Sequence, residues 1–307
     1  MTTDRLFRAA VAAIDRGDVE ALRRLLAERP RLATARLDRP GAWLKDQVGD
    51  ALQGFFRAPY LLWFVAEDPA RLDHMPPAIV ASAETIIAAA KAAPASGLQE
   101  QLDYAVRLVC WSISARRAGV QLALLETLLG HGAGLDGRAL YDGRYGTHME
   151  AAIYNGSDAA ARFLLARGAR LTLSAALCLS LWPECETLLG AAAPDEKDDA
   201  FVLAALRGKT EALRFMLAKG ASPDTVSRRN QSHGTALHHA VWSGELAAVK
   251  LLVEAGGDLT RRDTLHHATP GDWAVYGAGQ AGDAAAGARY RAIAAYLKDR
   301  DPKTPTP

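Results

Sequence analysis

The chain has 307 residues, of which 62 are Ala and 41 Leu against only 14 Val and 7 Ile. Helices favour the first pair and strands the second, so the composition excludes a sheet-based fold and points to an all-α protein; 50% hydrophobic residues suffice for a buried core. Thirty-six basic against 35 acidic residues, formally +1, exclude the overall field that gathers a protein on nucleic acid or an anionic membrane.

From the N-terminus, Phe7 to Arg36 reads as a degenerate helix pair around Asp15-Arg-Gly-Asp18, within a first unit at 1–38. An insertion follows at 39–58, then divergent units at 59–133, where Leu61 to Ala66 and Ile79 to Ala93 flank the double proline Pro76-Pro77. Better-defined units occupy 134–268 and a C-terminal cap 269–300, in which the Gly-rich stretch 277–287 reads as a flexible linker into a last helix, Ala288 to Lys298. Residues 301–307 are expected to be a disordered tail, and the whole of 1–307 a single array.

The basis is an internal repeat. Gly17, Gly119, Gly156, Gly208 and Gly244 each open a short amphipathic segment, as in Gly208-Lys-Thr-Glu-Ala-Leu-Arg-Phe-Met-Leu-Ala218. Three of these segments close on a further glycine, Gly168, Gly220 or Gly256, suited to the left-handed turn that ends a helix. The gap from Gly156 to Gly208 is long enough to hold a shortened unit around Trp182-Pro183.

The best-preserved unit contains Thr235-Ala236-Leu237-His238-His239-Ala240, which resembles the ankyrin-repeat signature T-P-L-H-x-A. Ala118 to Ala133 is also similar to a bacterial group of ankyrin proteins. The resemblance implies an ankyrin solenoid of about six to seven irregular helix-pair units with atypical caps, whose fingers and first helices line a concave binding face. Tyr154, Leu206 and Trp242 stand two residues before a connecting glycine, and Trp111 and Tyr276 are read as the equivalent positions of their units, with Trp182 nearby in the shortened unit; the next position supplies Arg207. Four aromatics at five equivalent positions make a stacking surface if exposed and core if buried.

Three expected fingers carry Arg followed four or five residues later by His, giving Arg144 and His148, Arg228-Arg229 and His233, and Arg261-Arg262 and His266. Such a strip suits a carboxylate or phosphate. Glu67 and Asp68 are expected at the groove positions of an early unit. His238 takes the signature position, where the resemblance implies a hydrogen bond to finger backbone, while His239 points toward the groove near Trp242 and Asp272.

Enzyme signatures are few. His148-Met-Glu150 has H-x-E spacing without P-C-x-x-C, and Gly277 to Gly282 fits G-x-G-x-x-G without a preceding strand. Neither a cofactor nor a metal is expected. The three cysteines lack C-x-x-C spacing and the charged N-terminus lacks an apolar stretch, so the expected location is the cytoplasm, without membrane or nucleic-acid binding. The leading reading is non-enzymatic binding of a protein partner through Trp111, Tyr154, Arg207, Trp242, Tyr276, His233, His239, Arg144 and His148. The alternative is a small-molecule receptor or acid/base enzyme on an aromatic or anionic ligand, with His239 and Asp272 as the pair and 39–58 folded over the groove.

Overall fold

In a computed structural model, the described residues are 2–93, 97–137, 146–229 and 233–300; Arg144 and the 301–307 tail lie outside them. They are mostly helical and form no strand, apart from one isolated bridge between Arg36 and Tyr60. Contacts divide the chain into two compact units, 1–170 and 171–307.

The first unit contains α1 (Thr3–Asp15), α2 (Val19–Glu28), α3 (Ala42–Val48), α4 (Ile79–Ala92), α5 (Leu98–Trp111), α6 (Ile113–Arg117), α7 (Gln121–Gly130), α8 (His148–Tyr154) and α9 (Asp158–Ala166). The connecting glycines Gly17, Gly119 and Gly156 all have positive φ, and α2, α7 and α9 each begin two residues after one. Asp18 and Ser157 cap α2 and α9 by accepting the amides of Ala21 and Ala160. Leu61–Ala66 is a 3-10 turn, buried at every residue, because all six side chains are apolar and other elements cover it on all sides.

Within the first unit, the insertion 39–58 packs on the N-terminal core. Asp4 accepts from the Gly41 amide and the Trp43 indole, each at 2.8 Å, and Phe56 lies edge-on to Phe64 at 5.2 Å. Glu67 is not a groove acid. It is buried in an ion pair with Arg71, which bonds Asp15 at 2.8 Å as well. Burial raises the Glu67 carboxyl, opposed by Arg71, and burial with the Glu67 charge pushes Asp68 up to about 7.

The second unit contains α10 (Leu173–Leu179), α11 (Trp182–Ala191), α12 (Pro194–Leu206), α13 (Thr210–Ala218), α14 (Ala236–Ser243), α15 (Leu246–Glu254), α16 (Pro270–Gln280) and α17 (Ala284–Lys298). Here α13 and α15 again begin two residues after Gly208 and Gly244, and Gly220 and Gly256 take the left-handed turn after α13 and α15. The Gly-rich segment is not a linker, since Gly277 lies inside α16 against α17. A methyl group there would fall 2.7 Å from the Tyr290 ring, so glycine sets the helix-to-helix distance.

Candidate recognition surface

In the shortened unit, Ser180 takes the positive-φ position that glycine fills elsewhere, followed by Leu181 and the start of α11 at Trp182. By that register Trp182 belongs to a second helix, where it lies 5.9 Å from Phe215 of α13, and Cys178 occupies the position equivalent to Tyr154. Cys178 and Leu206 are both buried, so the aromatic positions fall into two pairs, Trp111 with Tyr154 and Trp242 with Tyr276.

In the first unit, the Trp111 and Tyr154 rings at the ends of α5 and α8 are stacked, 5.0 Å apart and 11° from parallel, with the Arg107 guanidinium 5.7 Å from the indole. Both aromatics are half-buried. His148 is placed differently from the expectation for a finger residue. It is the first residue of α8, 1% exposed, and neither ring nitrogen has a hydrogen-bond partner among the described residues. It packs against Gly137, where a Cβ would fall 2.4 Å from its Nε2. Burial, reinforced by the Arg107 charge, pushes its pKa down to about 3, so the imidazole is neutral at physiological pH.

In the second unit, α14 and the finger before it bring four aromatic or imidazole rings around Trp273 of α16. Its indole lies 5.5 Å from His233, 5.2 Å from His238, 5.7 Å from His239 and 6.0 Å from Trp242. His266 stands edge-on to His233 at 5.7 Å. His238 Nδ1 accepts from the Thr235 amide at 3.2 Å, leaving Nε2 to donate to the Ala268 carbonyl at 3.1 Å. This residue therefore ties α14 to the next finger. His239 is fully buried against Trp273.

The carboxylate of this cluster is Asp263. It takes the amides of Leu265 and His266 on Oδ1, at 2.9 and 2.6 Å, and the Ala268 amide and Trp273 indole on Oδ2, at 3.1 and 3.0 Å. Burial disfavours its charge, but these four donors outweigh burial and hold the carboxyl well below the usual range. These bonds hold the loop 263–268 against α16. Asp272 serves elsewhere: Thr269 N and Oγ1 both donate to its Oδ2 at 2.8 Å, closing a capping box at the start of α16. The proposed His239–Asp272 acid/base pair is thus replaced by a capping carboxylate and a buried ring.

Several large apolar residues outside this cluster are exposed. Trp242 is 44% exposed, Leu265 62%, Val275 65% and Tyr276 60%, and these make four of the six large exposed hydrophobic residues among the described ones. Tyr276 is one helical turn on from Trp273, so it continues the same face of α16. Arg207 is half-buried at the end of α12, and its buried Nε has no partner among the described residues. Sequence reasoning missed Asp263 and Trp273 as site residues. The available signal was the pairing of a finger acid with the tryptophan that follows Thr-Pro-Gly-Asp in the last repeat.

Residues 177–263, which include α11 to α15, match the family model for ankyrin repeats (3 copies). The chain contains ankyrin repeats. Among solved structures it is similar to the crystal structure of the human ASB11 ankyrin repeat domain, at 18% identity over 76% of this chain and 96% of that one, with a TM-score of 0.34. No curated protein matches the chain. Ankyrin repeats generally serve as protein–protein interaction modules. Among the described residues, no helix is long and apolar enough to cross a membrane and no group of three or more His, Cys, Asp or Glu is placed to hold a metal ion.

Proposed function

We propose that the protein is a non-enzymatic recognition module of the cytoplasm that binds a protein partner through the exposed aromatic face of α14, α16 and the finger between them. One observation carries this reading: Trp242 on α14 touches Trp273 and is exposed, Tyr276 is exposed one helical turn further along α16, and Leu265 is exposed on the loop that Asp263 orders. Exposed apolar patches mark interaction sites, aromatic residues dominate binding energy at interfaces, and a preordered loop reduces the entropy lost on association. The stacked Trp111 and Tyr154 offer a second aromatic patch in the first unit. On this reading the helix pairs of both units are copies of one repeat, six or seven in all, consistent with helices that start two residues after Gly17, Gly119, Gly156, Gly208 and Gly244.

The test is affinity capture with wild type and a Trp242→Ala/Tyr276→Ala variant, with the fold checked by circular dichroism and the captured proteins quantified by mass spectrometry. The reading expects at least one partner recovered with wild type to be lost with the variant. If every partner is recovered equally with both, the surface is wrongly assigned.

A further inference from the structure

We propose that the fingers carrying His233 and His266 form a proton-operated latch, which keeps the loop 263–268 docked on α16 while its histidines are neutral and releases the loop when they take up protons from solvent. The inference rests on the recognition reading above and supplies the regulation of that surface. Five of the chain's eight histidines, His233, His238, His239, His266 and His267, fall in these two fingers and in α14. His238 has no place for a second proton. Its Nδ1 accepts from the Thr235 amide at 3.2 Å, its Nε2 donates to the Ala268 carbonyl at 3.1 Å, and the residue is fully buried. A proton on Nδ1 would set one N–H against another across the Thr235 contact and break the capping box that starts α14. A charged His238 therefore has to leave this position, and its tie to Ala268 in the loop goes with it.

His233 lies 5.7 Å from His266 on the next finger and 6.3 Å from His239 on α14, so protons on any two of these rings repel at short range. The same fingers are joined by the Thr264 amide, which donates to the His233 carbonyl at 2.9 Å. The finger arginines have acidic neighbours of their own: Asp198 for Arg228, Asp199 for Arg229, Asp258 for Arg261 and Asp272 for Arg262. Asp263, the carboxylate beneath the loop, already takes two donors on each oxygen, so it is committed to the loop and not to a new imidazolium. Burial lowers the pKa of His238, opposed by the Ala268 carbonyl and Asp263 and reinforced by His233 and Arg261. Burial also lowers His233, opposed by Asp263 and reinforced by His266. Both rings bind protons less well in the closed fingers than in an opened chain, where the ordinary value is 6.5, so closure is favoured above that pH and lost as pH falls below it. The loop that opens bears the exposed Leu265 and holds Trp273 against Trp242, so opening dismantles the binding face.

The test is hydrogen–deuterium exchange of the full-length protein at pH 7.5 and pH 5.5, each rate divided by its intrinsic chemical rate. Each lowered histidine raises the opening equilibrium by up to about tenfold over that interval, so the two together allow about a hundredfold. Protection of the Thr264, Leu265, His266 and Ala268 amides should therefore fall by about tenfold or more in wild type. It should change little in His233→Gln/His238→Gln, whose carboxamides keep a donor and an acceptor without titrating. Helices α10 to α13, whose sequence holds no histidine, should keep their protection. Equal loss in α10 to α13, or the same loss of finger protection in the variant, would overturn the latch. Should the double variant not fold, NMR titration of the wild-type rings decides: His233 and His238 both titrating below 6.5 supports the latch, and either at or above 6.5 overturns it. Exchange needs no partner, so it decides the latch apart from the recognition reading, which the capture with Trp242→Ala/Tyr276→Ala decides at pH 7.5. A partner lost from that variant yet held equally by wild type at both pH values would overturn the latch as the control of binding.

Discussion

His148 should make the first unit acid-sensitive, and replacement by leucine should remove that sensitivity. The neutral ring is buried with its nitrogens unpartnered among the described residues, and its pKa falls from 6.5 to about 3. The sign follows from linkage. Above pH 6.5 the ring is neutral in both folded and unfolded chains; below it only the unfolded chain takes up the proton, so stability declines until the folded ring also protonates near pH 3. At about 1.36 kcal/mol per pH unit, wild type loses roughly 2 kcal/mol between pH 7 and pH 5 from this residue alone. His148→Leu removes the titration at similar volume and leaves no polar nitrogen unsatisfied, so at pH 8 it should be at least as stable as wild type. The assay is thermal unfolding of both proteins at pH 8 and pH 5. The variant's advantage in Tm should grow by about 4–8 °C at the lower pH. A gap that is the same at both pH values, or an NMR titration placing His148 near 6.5, would refute the reasoning.

Asp68 should act with the opposite sign. Its carboxyl, pushed up to about 7, is protonated in the folded chain while already ionised in the unfolded one, so stability is lost as pH rises from 3.8 to about 7. Asp68→Asn should therefore gain roughly 2–4 kcal/mol relative to wild type between pH 4 and pH 8, read from denaturant unfolding. Arg71→Ala should cost about 3–5 kcal/mol because it leaves Glu67 buried without its cation, and an unchanged denaturation midpoint would contradict the ion pair. Gly277→Ala should cost about 1–3 kcal/mol by pushing α16 from the Tyr290 ring; a stabilised variant, as an ordinary helical Gly→Ala change would give, would contradict the close approach.

Legibility in the sequence followed how locally each feature is determined. A connecting glycine with positive φ leaves a mark in the chain, and counting from Gly17, Gly119, Gly156, Gly208 and Gly244 located five second helices. Ser180 adopts the same conformation without being glycine, so counting from glycines finds no mark there and leaves Trp182 only near the face, whereas it is the first residue of a second helix. Gly277 and its neighbours suggested a linker because glycine lowers helix propensity, whereas tight packing on Tyr290 supplies the compensating contacts. The roles of Asp263 and His148 depend on partners distant in space. Asp263 and Asp272 are both finger-proximal acids, and only the loop geometry decides that the first holds the tryptophan and the second caps a helix. Likewise nothing adjacent to His148 in sequence announces that Gly137 lets it sink into the core.

The six tryptophans, Trp43, Trp63, Trp111, Trp182, Trp242 and Trp273, are spread through both units and report separately on any binding event. Indole 15N–1H spectra recorded while a partner recovered by affinity capture is titrated into the full-length protein therefore test the recognition surface directly. The account predicts that the Trp242 and Trp273 signals move in a saturable way while Trp43 and Trp63, held by Asp4 and by the Gln101 carbonyl, stay in place. Saturable shifts at Trp43, Trp63 or Trp182 with Trp242 and Trp273 unmoved would contradict it.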